Sequence, residues 1–220
     1  MGLTITEENY LKAIWKLSAY THKAVTTNAI AAHLTTTAAS VTDMLKRLAE
    51  KNWVTYEKYK GVALTDEGRH SAVSLVRRHR LWEVFLAEKL GFGWHEVHDI
   101  AEELEHIASA KLVERLDAYL GYPTTDPHGD PIPDADGVFA AVEHLLLSAA
   151  APQKTVVMVG VNEHSPTFLQ YLDAQKLAIG TRLIVTEIIA YDHSLQLALP
   201  NGDALTVSAK VAQNIWVKMA

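Results

Sequence analysis

The sequence predicts a mainly α chain with a small β module, opening on a winged helix-turn-helix. Three observations carry this prediction. Three short helical patterns run directly into a strand–turn–strand pattern near the N-terminus. A long helical pattern and two acidic, histidine-bearing ones fill the middle third. The last 70 or so residues hold β-branched runs punctuated by turn signals.

Taken in order, residues 6–20 read as an amphipathic helix, with Tyr10, Leu11, Ile14, Trp15 and Leu17 at helical spacing and Thr6 as the expected N-cap. Residues 26–34 form a short second helix capped by Thr26 or Thr27. A third runs from Thr37 to about Lys51 with Val41, Leu45 and Leu48 inward. WVTYEKYKGVALT then alternates as two strands around a Lys60-Gly61 turn, and three helices plus a hairpin is the winged variant of the helix-turn-helix. Residues 66–90 read as one long helix containing Gly68, stopped by Gly91 and Gly93. Residues 94–108 and 109–120 are two more helices. Residues 121–137 hold four of the seven prolines and form a linker or a wrapped, ordered loop. Beyond it, Lys154–Val161 and Leu183–Ile189 are strands. Pro200–Asp203 turns between Leu195–Leu199 and Ala204–Val207, and Ser165–Leu177 is a helix, so this module is barrel-like if its edges close.

Composition narrows the function. Of 220 residues, 49% are apolar and 21% charged, which is globular and excludes wholesale disorder. Cysteine is absent, which excludes disulfides, thiolate metal sites and cysteine nucleophiles and fits a reducing cytosol. No apolar run approaches the roughly 18 residues of a membrane span, and MGLTITEENY has neither the basic nor the apolar region of a secretion signal. The net charge of −6 is unevenly spread. Residues 1–75 have nine Lys/Arg against seven Asp/Glu, residues 76–150 six against fourteen, and residues 151–220 five of each. Six of the eleven histidines also fall in the middle segment, and carboxylates with imidazoles are the raw material of a divalent-cation site.

Two residue sets carry that chemistry. His79 and Glu83 are four apart on the long helix. His98, Glu102, Glu105 and His106 share one helical face on the next. Such a face is costly to bury without a cation, and the alternative is a solvated acidic surface. Imidazole plus carboxylate without thiolate suits Mn²⁺, Fe²⁺, Co²⁺ or Zn²⁺, and the carboxylate richness leans to Mn²⁺ or Fe²⁺. Asp126 and His128, in DPHG, are either an ordinary turn or two further ligands. His95-Glu96-Val97-His98 is not H-E-x-x-H, Glu103-x-x-His106 occurs without the second copy a di-iron bundle needs, and no phosphate loop or serine elbow is present.

On the nucleic-acid side, Thr37–Lys51 reads as the recognition helix. Thr37, Ala39, Ser40, Thr42 and Asp43 lead, Lys46 and Arg47 follow, Thr27 sits on the preceding helix, and Lys58 and Lys60 lie on the wing to grip phosphate. A winged helix used for protein contacts is the alternative.

The stretches ENYLKAIW, SVTDMLKRL, YEKYKGVALTDEG, RRHRLWEVFL, VHDIAEELEH and LGYPTTDPHGDPIP together resemble the metal-dependent repressors of the diphtheria-toxin-repressor and manganese-transport-regulator type, over essentially the whole chain. The resemblance implies a winged-helix DNA-binding domain (1–72), a helical metal-binding and dimerisation domain with the proline-rich linker (73–137), and a C-terminal SH3-like, FeoA-like domain (138–220). It implies a homodimer that binds palindromic operators when loaded with Mn²⁺ or Fe²⁺. Its primary metal set falls on Asn9, Glu102, Glu105 and His106, and its ancillary set on His79, Glu83 and His98. Asp126 and His128 join the ancillary set, with Glu163 or His164 as the ligand from the C-terminal module. Glu102 stands where iron-sensing relatives carry a thiol, and Asn9 where manganese sensors carry an aspartate.

The expectation is therefore a cytoplasmic, Mn²⁺-dependent repressor of metal-uptake genes, with Fe²⁺ as the alternative metal, no enzymatic activity and no membrane partner. Other divalent metals would substitute in vitro. The competing readings are a helical-bundle carboxylate metalloenzyme and a metal-buffering protein without DNA binding.

Overall fold

Thr4-Ile5-Thr6-Glu7 starts the first helix by a reciprocal cap: the Thr4 amide donates to Glu7 Oε2 (3.0 Å) and the Glu7 amide to Thr4 Oγ1 (3.3 Å). The cap is thus Thr4, and Thr6, the expected one, lies inside helix α1 (Ile5–Thr21). The computed structural model describes residues 2–21 (19–21 as backbone), 24–57 and 60–220.

Two units emerge from the contacts: residues 1–79 with 104–109 and 133–138, and residues 80–103 with 110–132 and 139–220. The first holds α1, α2 (Thr27–His33), α3 (Ala38–Glu50), the hairpin β1 (Val54–Glu57) and β2 (Gly61–Leu64), and the first half of α4 (Asp66–Leu90). Thr26 caps α2 by accepting from the Ala29 amide, and Thr37 caps α3 by accepting from Ser40. Leu11, Ile14, Ile30, Val41, Leu45, Leu48 and Val62 form its core, each large side chain contributing about 1.5–3 kcal/mol by leaving water. Val25 exchanges both backbone hydrogen bonds with Val62, adding a short third strand to the hairpin. Gly68 does not break α4. A Cβ there would stand 2.0 Å from the Trp53 carbonyl oxygen, so only glycine lets the first turn of α4 press on this segment.

The second unit comprises the rest of α4, then α5 (Val97–Leu104), α6 (Ala110–Tyr119) and a six-stranded antiparallel sheet. Helix α5 is shorter than the 94–108 pattern: Trp94–Glu96 form a turn, the Glu96 side chain accepting from the Gly93 amide and the Trp94 indole donating to Asp173. The sheet contains β3 (Leu145–Leu146), β4 (Thr155–Val161), β5 (Arg182–Ile188), β6 (Leu195–Ala198), β7 (Ala204–Val207) and β8 (Ile215–Met219), ordered β3-β8-β4-β5-β6-β7. Irregularities between Met158 and Gly160 and between Val185 and Glu187 bend it. Its core gathers Met158, Leu169, Leu172, Leu183, Val185, Ile215 and Val217, with α7 (Pro166–Ala174) and the short α8 (Ala209–Ala212) against it. Strand β8, which the sequence reading lacked, lies between β3 and β4.

The proline-rich segment is an ordered loop. Asp126 and Ile132 donate from their amides to Asp130 and Thr124. Asp126 Oδ1 accepts from the amides of His128 and Asp130. The loop docks on the sheet because the Val161 amide donates to the His128 carbonyl. Gly129 has φ +88°, and a Cβ there would meet the Val159 carbonyl oxygen at 2.1 Å. Gly129→Ala is expected to cost about 1–3 kcal/mol or more in chemical denaturation, from left-handed strain plus the clash. Gly91→Ala, also at positive φ but in open space, serves as the reference. Equal losses in the two variants would show that the loop is not pressed onto the sheet.

Candidate functional site

In the second unit, α4 and the 126–130 loop together bury acid and imidazole. Glu83, Asp126 and His128 each offer one ligand atom, all within 4.8 Å of one another, and all three residues are buried. His128 Nε2 lies 2.8 Å from the Trp94 carbonyl oxygen, to which it donates. That bond turns Nδ1 toward the acids, 3.6 Å from Glu83 Oε2 and 3.9 Å from Asp126 Oδ1. Nδ1 is buried without a hydrogen-bond partner among the described residues. Glu83 Oε1 is 3.2 Å from His98 Nδ1, and His98 Nε2 is 3.7 Å from Glu102. Arg80 is the local cation, 3.6 Å from Asp126 and 3.0 Å from Asp130, and it also donates to the Pro131 carbonyl.

Of the two candidates from the C-terminal module, the geometry separates the roles. Glu163 Oε1 accepts from the Ser165 amide at the start of α7. His164 stacks on His128, ring centroids 4.7 Å apart, and its Nε2 is buried without a hydrogen-bond partner among the described residues.

The electrostatics report unmet demand. Burial, reinforced by Glu83 and Asp130, pushes the Asp126 carboxyl up to about 8, against Arg80 and His128. Burial alone would lower His128, but its contact with Glu83 and the nearby Asp126 charge raise it to about 9. Burial also lowers His164, with His128 adding to the effect. Protons here stand in for a positive charge that a dication would supply. The donors are imidazole nitrogen and carboxylate oxygen, suited to a divalent transition metal, and an unpartnered buried ring nitrogen fits that role.

In the first unit, α1, α4 and the 104–109 segment meet around Glu105. Its carboxylate is fully buried and receives Lys12 Nζ at 2.7 Å from each oxygen. His79 Nδ1 stands 2.6 Å from Oε2. Burial would raise the Glu105 carboxyl, but His79 and Lys12 outweigh it and hold it below the ordinary range. His106 Nδ1 lies 2.6 Å from Glu8 Oε2, and Arg78 pairs with Glu8 Oε1 at 3.1 Å. Arg78 Nε also donates to the Glu105 carbonyl.

The structure therefore brings Glu105 and His106 to α1, where Glu8 rather than Asn9 reaches the imidazole. Asn9 is half-buried on the same helix. Glu102 is exposed beside His98. His79 Nδ1 also meets Glu105. Glu8 is the residue that stands next in line after Asn9 in the sequence, whereas Lys12, Arg78 and Arg80 were missed. The signal for the two arginines was in RRHR, where three arginines flank an expected ligand.

The nucleic-acid candidates among the described residues lie on α2, α3 and the hairpin turn. Ala39, Ser40, Asp43, Lys46 and Arg47 are exposed on α3. Thr37 is engaged as its cap, and Thr42 Oγ1 donates to the Ala38 carbonyl. A cleft of about 410 Å³ is lined by Thr26, Thr27, Asn28, Ala38, Thr42, Tyr56 and Gly61, adding Thr26, Asn28 and Tyr56 to the surface read from the sequence. Lys60 is exposed and pairs with Glu57 at 2.6 Å. Lys58 lies outside the described residues.

Comparison with known proteins follows the same lines. Residues 2–62 match the N-terminal DNA-binding domain of the iron-dependent repressors, residues 65–134 their metal-binding and dimerisation domain, and residues 145–219 the FeoA domain. The chain is 34% identical over 133 residues to the iron-dependent repressor IdeR of Mycobacterium tuberculosis, covering 60% of this chain but only 56% of that protein. It is 31% identical over 173 residues to the Mycobacterium leprae repressor IdeR, covering 74% of each. A solved manganese-dependent transcriptional repressor in complex with manganese superposes with a TM-score of 0.87 at 35% identity, covering 97% of this chain and all of the other. The chain belongs to the iron-dependent repressor family of metal-dependent transcriptional repressors.

The raised pKa values fix the sign of a pH effect. Asp126 and His128 hold protons in the folded state that the unfolded chain has released, Asp126 above about 4 and His128 above about 6.5. Their stabilisation of the metal-free protein is lost as pH rises through about 8 and about 9. A bound dication replaces those protons, so the rise in melting temperature on adding Mn²⁺ is expected to grow between about pH 6.5 and 8.5. Asp126→Asn should flatten that growth. Thermal scans in EDTA and in Mn²⁺ measure it. A Mn²⁺ increment independent of pH would mean that the cluster is not where metal binds.

Proposed function

We propose that this chain binds palindromic operator DNA as a homodimer when loaded with Mn²⁺, Fe²⁺ being the alternative, and so represses metal-uptake genes in the cytoplasm. The observation that carries the reading is the buried Glu83–Asp126–His128 set, with a ring nitrogen lacking a hydrogen-bond partner, on a chain that also presents an exposed recognition helix. The cation would be held by Glu83, Asp126 and His128, with His98 and His164 the next donors. When bound, it supplies positive charge to acids that protons and Arg80 otherwise neutralise.

A second set, Asn9, Glu102, Glu105 and His106, is proposed as the switch. Glu105 and His106 already meet α1, the helix that packs beneath the DNA-reading helices. If metal binds the DNA-competent arrangement more tightly than the alternatives, it shifts the population by that differential affinity. Dimerisation is supported by exposed apolar side chains in the second unit, Leu90, Phe92, Tyr119 and Tyr122. A two-fold dimer would set two recognition helices about 34 Å apart, one turn of DNA.

On the DNA, Ser40, Thr42 and Asp43, with Thr37 and Ala39, would face base edges. Lys46, Arg47, Lys60 and Lys58 would face phosphate. No helix among the described residues is long and apolar enough to cross a membrane. A carboxylate metalloenzyme or a metal buffer would use the same metal set, but neither accounts for the exposed α3 face and its cleft. Gel retardation of promoter DNA, run with each divalent metal and with EDTA, separates these readings.

Two outcomes are expected. Glu83→Gln should remove most Mn²⁺-dependent retardation while the melting temperature in EDTA holds or rises, because a buried charge is lost. Retention of the full Mn²⁺ response would take Glu83 out of the metal site. Lys60→Ala should weaken binding to all sequences alike and reduce the slope of log affinity against log salt by about 0.9. Changes at Ser40 should instead alter which operator is preferred. A Lys60 variant with altered preference and an unchanged slope would reverse these roles.

A further inference from the structure

Lys12 is a buried lysine on a buried acid. It sits on α1 with 6% of its surface exposed, and Glu105 has none. The ammonium spans the carboxylate edge, 2.7 Å from both oxygens. His79 takes a further position on Oε2 at 2.6 Å. The neighbouring acid, Glu8, has Arg78 at 3.1 Å and His106 at 2.6 Å. Two carboxylates are thus answered by two fixed cations before either histidine is counted. The second unit differs: there Asp126 and Asp130 share Arg80, and Glu83 meets His98.

We propose that Lys12 is a resident cation which occupies the Glu105 carboxylate and competes there with divalent metal, thereby setting the metal concentration at which the switch responds. The proposal rests on the reading of Glu105 and His106 as metal ligands. The competition follows from the geometry. A carboxylate edge engaged at both oxygens by an ammonium cannot receive a dication on that edge until the ammonium leaves. Leaving breaks two charge-assisted hydrogen bonds and strands a buried lysine. That cost is subtracted from metal affinity, as the cost of populating a competent state is subtracted from any ligand's affinity. The same contact ties α1 to the 104–109 segment with no metal present.

The test is calorimetric titration of the full chain with Mn²⁺. Lys12→Met, which keeps an unbranched side chain and removes the charge, is expected to bind Mn²⁺ at least tenfold more tightly at one site per chain. Lys12→Arg, which restores a cation, should resemble the parent. Glu105→Gln added to Lys12→Met should abolish the gain. Unchanged or weaker Mn²⁺ affinity in Lys12→Met overturns the proposal.

A second measurement holds even if Lys12→Met fails to fold. In the parent, acylation of Lys12 by an amine-reactive ester, mapped by mass spectrometry, should be slow in EDTA and at least several-fold faster with saturating Mn²⁺. Equal protection in both conditions also overturns the competition. Neither readout needs DNA. A parent with no metal-dependent retardation but a tightened Lys12→Met would defeat the repressor reading alone, whereas normal retardation with an unchanged Lys12→Met would defeat this one alone.

Discussion

The organising constraint is where each buried carboxylate finds its counter-charge. A carboxylate removed from water must be paired, hydrogen-bonded or protonated. Glu105 is paired by Lys12 and His79 from the chain itself, and its carboxyl stays below the ordinary range. Around Asp126 the balance differs: burial and the neighbouring acids outweigh Arg80, and the pKa of Asp126 and that of His128 are both raised. The first cluster works as a structural clasp, and the second works as a demand for positive charge.

Helix α4 distributes these charges. Arg78 and His79 face acids of the first unit, while Arg80 and Glu83 serve the second. Consecutive helical residues point about 100° apart, so a run such as RRHR can supply several different partners. Holding Asp126 and His128 in place then falls to loop chemistry. Asp126 folds the loop onto its own amides, the Val161 amide donates to the His128 carbonyl, and Gly129 permits the close approach.

The regular helices were legible because their apolar residues repeat at 3.6 and their caps are short-range. Thr26, one of the two caps read for α2, does cap it, Thr37 caps α3 one residue before the helix begins, and α4 has the predicted ends. Thr4 was passed over although T-x-x-E is a capping box, because the helix was started from its first apolar face rather than from its cap. Strand β8 was missed since IWVKM is short and its last two residues are exposed, so alternation is weak. At the sites, residue type and spacing picked out Glu83, His98, Glu105, His106, Asp126 and His128. Spacing on one helix could not show that Glu8 reaches His106, that Lys12 lies on Glu105, or that His164 rather than Glu163 stacks on His128. Those are pairings across 98, 93 and 36 positions, set by tertiary packing alone.

The donor set also bears on which metal the second unit would select. Affinity for a given nitrogen and oxygen site rises from Mn²⁺ towards Cu²⁺ whatever the protein does, so preference for Mn²⁺ cannot come from raw affinity. It must come from coordination number, geometry or supply. A tetrahedral zinc site needs four ligands and gains most from thiolates, and this chain has no cysteine. The second unit instead gathers Glu83, Asp126 and His128 with their ligand atoms within 4.8 Å, His98 lies 3.2 Å from Glu83 and His164 stacks on His128, while Asp130 pairs with Arg80. With His98 and His164 as further donors the set would number five, two of them carboxylates able to bind through one oxygen or two, more than a tetrahedron uses and close to what a six-coordinate ion needs. Discrimination against zinc would then rest on the rigidity that Trp94 and the Asp126 turn impose on His128. A loop that cannot contract to four short bonds leaves the larger ion the better fit.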